Sequence, residues 1–235
     1  MPISQICRRL RVSEATARRD LTAVAARGHI SRTWGGALAD YNSHFASIGE
    51  RSRREQGAKG RIAAVAAAMV PTSGTVFLDA GTTIVAVARA LARRRGLEGL
   101  VVVTNSLPVA SALGGIRGVA LHVLGGQLLD RQAALFGPRA LRALREWQFD
   151  AAFFGGESAS SAGISNSIPD VVAFQRFVLK RTRHAYFCLD ATKLGGATTH
   201  RVAGWGAFSA LISDASARRM SAAGLQARVT QLIRA

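Results

Sequence analysis

The segment Asp79-Ala-Gly-Thr-Thr83 follows an apolar run at 75–78 and precedes a helical pattern that begins near Thr83. Backbone N–H groups of Gly81, Thr82 and Thr83, with two hydroxyls, could hold a phosphate there, because unbonded amides and the helix dipole favour an anion at a helix N-terminus. Asp79 suits no phosphate; its carboxylate fits a sugar hydroxyl or a cap on the following turn. An ordinary glycine-threonine turn is the competing explanation. Polar groups also follow other apolar runs: Thr104-Asn105-Ser106, Gly125-Gly126, Glu157 after Phe154-Gly-Gly, and Lys193 in Asp190-Ala-Thr-Lys. Asn105 could read a hydroxyl or a carbonyl, or either Asn105 or Ser106 could cap a helix starting near Leu107. Glu157 could contact a sugar. The Lys193 ammonium could balance a bound phosphate, or be a solvated loop lysine. His29, His44, His122, His184 and His200 lack metal-ligand spacing, and no metal, cofactor or catalytic residue is expected.

The elements that must position these groups are strands alternating with helices from Lys59 onward, the signature of a parallel sheet. A helix at 59–70 leads into the strand at 75–78, and further strands are expected at 100–103, 119–124, 150–154, 185–189 and 210–212. Helical segments fall at 107–113, 138–146 and 171–181. The fold class is α/β, with a mostly parallel, Rossmann-like three-layer domain that binds ligands outside the carboxyl ends of its strands.

Ahead of this domain, Ile3, Ile6, Cys7 and Leu10 share one face of a short helix at 3–10. Ser13 is an N-cap for a second helix that runs to about Arg27 and stops at Gly28, with Ala17, Leu21 and Val24 as its buried stripe. The alternating residues that follow, ending in Gly35-Gly36, read as one side of a hairpin or wing. Two short helices, a tight turn and a wing describe a winged helix-turn-helix; a plain helical hairpin with a solvated basic face is the competing reading. In the first case the second helix enters a major groove of double-stranded DNA, with Ser13, Ala15, Thr16, Arg18, Arg19 and Thr22 near bases and phosphates and Arg32 on the wing. The expected organisation is 1–38 for this unit, 39–58 for a linker, and 59–235 for the α/β domain.

Charge supports a polyanionic partner. Of 235 residues, 31 are basic and 14 acidic, a formal net charge of +17, and all the basic residues except Lys59, Lys180 and Lys193 are arginine. The first 36 residues hold seven arginines against Glu14 and Asp20, so charge density peaks at the N-terminus. With 49 % hydrophobic and 19 % charged residues the chain is not intrinsically disordered. Cys7 and Cys188 form no CxxC pair, no signal-peptide pattern is present, and the most apolar stretch, 62–91, is broken by Pro71, Gly74, Asp79 and Gly81. A soluble cytoplasmic protein is expected.

The run Val12-Ser-Glu-Ala-Thr-Ala-Arg-Arg-Asp-Leu21, followed by Gly28-His-Ile-Ser-Arg-Thr-Trp-Gly-Gly-Ala37, resembles the DNA-binding signature of DeoR-family bacterial transcriptional regulators. The resemblance continues in order through 45–51, Leu78-Asp-Ala-Gly-Thr-Thr83, Val103-Thr-Asn-Ser106, Leu124-Gly-Gly126, Gly137-Pro138 and Leu189-Asp-Ala-Thr-Lys-Leu-Gly195. It implies a repressor of a sugar-catabolism operon, controlled by a phosphorylated sugar bound at the strand ends, and a homo-oligomer. Family members usually carry an extra helix and short strand ahead of the position of Met1, so a start codon upstream is expected; a partner subunit covering the gap and weakened DNA binding are the alternatives. At 163–170 the family has a threonine-rich stretch followed by glutamates, whereas here only Asp170 is acidic. The sensor fold also resembles the superfamily of ribose-5-phosphate isomerase and glucosamine-6-phosphate deaminase. Asp79, Glu157, Asp190 and Lys193 therefore keep open a sugar-phosphate isomerase or deaminase as the alternative.

Overall fold

A computed structural model describes residues 3–26, 30–33, 36–39, 46–225, 227 and 231–235, without side chains at 25–45. The chain divides into two units, Met1–Ala46 and Ser47–Ala235.

In the first unit, helices α1 (Ile3–Leu10) and α2 (Glu14–Ala26) precede an antiparallel hairpin of β1 (Ile30–Thr33) and β2 (Gly36–Ala39). The turn between the helices uses Arg11 at φ 54°, and Ser13 begins α2 by accepting a bond from Thr16 N at 3.1 Å. Ile6 and Ala17 are buried against each other, with Ile3, Cys7, Val12 and Leu21 packed around them. Two residues of the expected apolar stripes depart from this: Leu10 is 65 % exposed and Val24 36 %. Both lie beyond the small patch that two short helices can cover for each other.

The second unit opens with α3 (Ile48–Ser52) and α4 (Gln56–Met69), so the described part of the segment expected as linker is largely helical. Ser47-Ile-Gly-Glu50 is a capping box: Ser47 Oγ accepts from Glu50 N, and Glu50 Oε2 accepts from Ser47 N at 2.6 Å. These bonds to Ser47 hold the Glu50 carboxyl below its ordinary range. Ser47→Ala is expected to weaken α3 by about 1 kcal/mol, read as faster amide exchange at Arg51 with α4 unaffected.

There follow β3 (Gly74–Leu78), α5 (Thr82–Leu91), β4 (Leu100–Thr104), α6 (Leu107–Leu113) and β5 (Val119–Val123). A hairpin of β6 (Gln127–Leu129) and β7 (Ala134–Phe136) comes next, then α7 (Pro138–Ala143) and β8 (Phe149–Phe154). The chain continues through β9 (Ser158–Ser160), β10 (Gly163–Asn166), α8 (Pro169–Leu179), β11 (Thr182–Cys188), β12 (His200–Ala203), β13 (Ala210–Ser213), α9 (Ala217–Ala222) and β14 (Leu232–Arg234). Strands β9, β10 and β12 form a small antiparallel sheet.

The main sheet is parallel throughout, in the order β14-β13-β11-β8-β3-β4-β5. Covered on both faces, its central strands are apolar on both, and alternate residues feed different layers. Val76, Leu78, Val102, Phe153 and Cys188 pack with α4 and α5 residues such as Ile62, Ala66, Ile84 and Val87. Phe77 and Phe154 point the other way, into a chain of rings: Phe77 lies 5.9 Å from Phe174 of α8, and Phe154 lies 5.1 Å from Phe187. The chain adds β4 and β5 on one side of β3, then returns to add β8, β11, β13 and β14 on the other. Strand order thus reverses between β3 and β8, which opens a crevice at their carboxyl ends.

Candidate effector site and DNA-reading helix

Every residue expected at the effector site falls at one edge of the main sheet. Asp79, Gly81, Thr82 and Thr83 follow β3; Thr104, Asn105 and Ser106 end β4; Gly125 and Gly126 follow β5; Glu157 follows β8; Lys193 follows β11. The register pairs Leu78 with both Thr104 and Phe153, so Asp79 stands level with the start of the loops on either side.

Gly81 N-caps α5 at φ 124°, a conformation that favours glycine, and a Cβ there would meet nothing within 4 Å. Gly155 lets the loop after β8 come close, since a Cβ would sit 3.1 Å from Ala80 O. Asp79 lies in this crevice at 1 % exposure. Its Oδ2 accepts from Gln175 Nε2 at 2.6 Å and Gly155 N at 3.3 Å, while its Oδ1 has no partner. Burial pushes the carboxyl up to about 7, against the bonds from Gln175 and Gly155 and the nearby Ala80 amide, which favour its charge.

The β4 residues are occupied with holding the edge together. Thr104 Oγ1 donates to Leu78 O at 2.6 Å and accepts from Ser106 N at 3.0 Å, and Ser106 Oγ accepts from Val109 N as the N-cap of α6. Asn105 Nδ2 donates to Leu135 O at 3.1 Å, leaving Oδ1 unpaired. Of the Gly125-Gly126 pair only Gly125 is open; a Cβ at Gly126 would lie 2.4 Å from Phe136 O. Glu157 Oε2 accepts from Ser167 N at 2.8 Å and from its hydroxyl at 2.7 Å. Lys193 is exposed, and its ammonium has no hydrogen-bond partner among the described residues. Asp190 caps that loop, accepting from Thr192 N at 3.1 Å.

Two cations, Arg51 and Lys59, complete this edge, and motif spacing did not single them out. Arg51 donates to Arg131 O at 3.0 Å and Gln132 Oε1 at 2.7 Å; burial works against its charge and Glu157 supports it. Lys59, 7 % exposed, donates to Arg51 O at 2.7 Å and to Arg54 O. Burial lowers its pKa, opposed by Asp190 and assisted by Lys193. Helix α3, which carries Arg51, packs against α5.

In the first unit, Ala15, Arg18, Arg19 and Thr22 are exposed on α2 and Thr16 is partly so. Ser13 and Thr16 share a hydroxyl bond of 2.8 Å, Thr22 donates to Arg18 O at 2.8 Å, and Arg18 is paired with Glu14. The side chain of Arg32, like His29 and His44, lies outside the described residues. Among the described residues there is no cluster of three or more His, Cys, Asp or Glu able to hold a metal, and no helix long and apolar enough to cross a membrane. Both cysteines are free.

Residues 1–43 match the DeoR-like helix-turn-helix domain and residues 54–215 the DeoR C terminal sensor domain. The chain belongs to the DeoR family. It is similar to the lactose phosphotransferase system repressor of Lactococcus lactis subsp. lactis, 31 % identical over 81 % of this chain and 75 % of that one. It is also similar to the glycerol-3-phosphate regulon repressor of Escherichia coli K12, 31 % identical over 78 % of this chain and 72 % of that one. Among solved structures, ribose 5-phosphate isomerase A of Methanocaldococcus jannaschii matches with a TM-score of 0.44 and 15 % identity, over 59 % of this chain and 54 % of that one. This DeoR-family member is a DNA-binding transcriptional regulator, like the relatives named above, and not an isomerase or deaminase.

Proposed function

We propose that this regulator is a cytoplasmic repressor of a sugar-catabolism operon that responds to a phosphorylated sugar. The observation that carries the reading is that the α5 N-terminus and Lys193 lie at one sheet edge, with Arg51 within electrostatic reach of Glu157 there and Lys59 within reach of Asp190 and Lys193. Phosphate would take the amides of Gly81, Thr82 and Thr83, with Lys193 free to swing onto it. Asp79, Asn105 and Glu157 would face the sugar. The relatives named for a lactose system and for glycerol 3-phosphate support a sugar or polyol phosphate as the class.

On the DNA side, α2 would lie in the major groove with Ser13, Ala15, Thr16, Arg18, Arg19 and Thr22 towards the operator and Arg32 on the wing. Two copies would read half-sites about one helical turn apart, ~34 Å. Effector and operator are then linked through a shared equilibrium, so each changes the other's affinity by the same factor.

The test is the full chain against its own upstream DNA, with and without glucose 6-phosphate, fructose 1-phosphate, ribose 5-phosphate and glycerol 3-phosphate. One of these should raise the thermal midpoint and shift operator affinity together. Operator affinity should fall with salt by about 0.9 log unit per phosphate contact for each decade. Arg19→Ala should cost about tenfold or more in operator affinity while the thermal shift from the sugar phosphate persists. A salt-independent response, or equal binding to any DNA, returns α1–α2 to a plain helical hairpin.

A further inference from the structure

Three buried acceptor atoms without donors belong to residues at this edge: Asp79 Oδ1, Asn105 Oδ1 and Gln175 Oε1. Asp79 and Asn105 follow the ends of neighbouring strands at the same level, and Gln175 reaches Asp79 from α8. The polarity of the Gln175 amide is fixed, because its Nε2 donates both to Asp79 Oδ2 at 2.6 Å and to Gly155 O at 3.0 Å, which leaves Oε1 as an acceptor. Asn105 is fixed likewise by its bond to Leu135 O. No lysine, arginine or histidine among the described residues donates to any of the three. Two carboxamide oxygens and a carboxylate oxygen therefore face inward with nothing to accept from.

Resting on the reading of a phosphorylated sugar above, we infer that Asp79 and Gln175 are the specificity-determining pair, which demand a hydrogen-bond donor, a hydroxyl or an amino group, on the effector carbon they face. Gln175 acts as the positioning residue that holds Oδ2, leaving Oδ1 for the ligand. Once the Asp79 carboxyl is ionised, above about pH 7, a phosphate dianion or a carbonyl oxygen carries acceptors only and is rejected by the same atoms. That fixes the direction of the bound molecule: the anion goes to the α5 N-terminus, two residues on from Asp79, and a hydroxylated carbon goes to Asp79. A site built to bond a hydroxyl discriminates against the analogue lacking it far more strongly than an apolar pocket discriminates by size, because the protein's own polar groups are left unpaired.

The experiment uses the full chain at pH 8, where the carboxyl is ionised, and measures affinity by calorimetry for matched pairs: glucose 6-phosphate with 2-deoxyglucose 6-phosphate, ribose 5-phosphate with 2-deoxyribose 5-phosphate, and glycerol 3-phosphate with dihydroxyacetone phosphate. Glucose with 2-deoxyglucose, and inorganic phosphate alone, complete the set. At least one hydroxylated member should bind the unaltered protein about 30-fold or more tighter than its deoxy or oxo partner. In Asp79→Asn that ratio should fall to about threefold or less, and Asp79→Ser gives the same readout if the first variant lacks a cooperative unfolding transition. A ratio that survives both substitutions, or no preference in the unaltered protein, overturns the inference even where phosphorylated compounds bind. If the preference and its dependence on Asp79 appear with the unphosphorylated pair while phosphate adds nothing, the donor-reading pair stands and the phosphate reading falls.

Discussion

Asp79→Asn is expected to remove most of the pH dependence of stability between pH 5 and pH 8. The carboxyl stands at about 7 in the folded chain against 3.8 for the ordinary group, and the cause is burial. Between those values the folded state keeps a proton that the unfolded state has released, so the stabilisation is complete below 3.8 and is lost as pH rises through about 7. Over the whole window the loss is about 4 kcal/mol, and between pH 5 and pH 8 it is about 2–3 kcal/mol. Urea unfolding of the unaltered protein and of the variant at both pH values gives the number directly. The constant cost of substituting an amide cancels in the difference between the two slopes, as do the contributions of the histidines. Parallel stability curves would mean that Asp79 is reached by water or by a cation in solution. The cost at neutral pH is the kind that persists at sites kept for binding.

How much of this was legible in the sequence varies with the range of the interactions. The parallel sheet was, because β3, β4 and β8 are apolar runs bounded by polar turns, and doubly covered strands have no other composition. Strand ends that face one edge follow from that topology, so the positions of Asp79, Asn105, Glu157 and Lys193 were readable before any contact was known. The short strands β6, β7, β9, β10 and β12 were not, being three or four residues long, too short for any period to show. Helix α3 carried its own announcement in Ser47-Ile-Gly-Glu50, a capping-box spacing masked by the charged run around it. Arg51 gave no local sign, since its partners at Arg131 and Gln132 lie 80 and 81 residues away. Lys59 did give one. It is one of three lysines in a chain that otherwise uses arginine, the same clue that drew attention to Lys193. Gln175 was hidden in the apolar face of α8, where periodicity marks a buried position but says nothing of what a polar side chain does there.

The Lys59 ammonium ties the end of α3 to α4, beside the bonds of Arg51 and the packing of Ile48 on the core, and its loss is expected to uncouple ligand from operator. A helix of five residues does not hold by itself, and its last carbonyls have only long bonds from the residues just past its end, Arg53 N to Glu50 O and Arg54 N to Arg51 O, each 3.3 Å. Lys59 meets two of the carbonyls at or just past its end, those of Arg51 and Arg54, in a charge-assisted geometry that also suits a helix C-terminus. Lys59→Met keeps the apolar stem but leaves Arg54 O without a donor and Arg51 O with only backbone amides such as Arg54 N, 3.3 Å away, at a cost of about 1–3 kcal/mol in unfolding free energy. With α3 loosened, Arg51 is no longer held at Arg131 and Gln132, and the cationic side of the effector edge is lost with it. Amide exchange should accelerate in α3 of Lys59→Met while β3 and β4 stay protected. The shift of operator affinity by the active sugar phosphate, about 5–150-fold for a coupling of ordinary size, should shrink to less than about twofold. Retention of the full shift in a variant whose α3 amides exchange freely would place the coupling elsewhere than in α3. Unchanged exchange in α3 would show that the ammonium does not hold it.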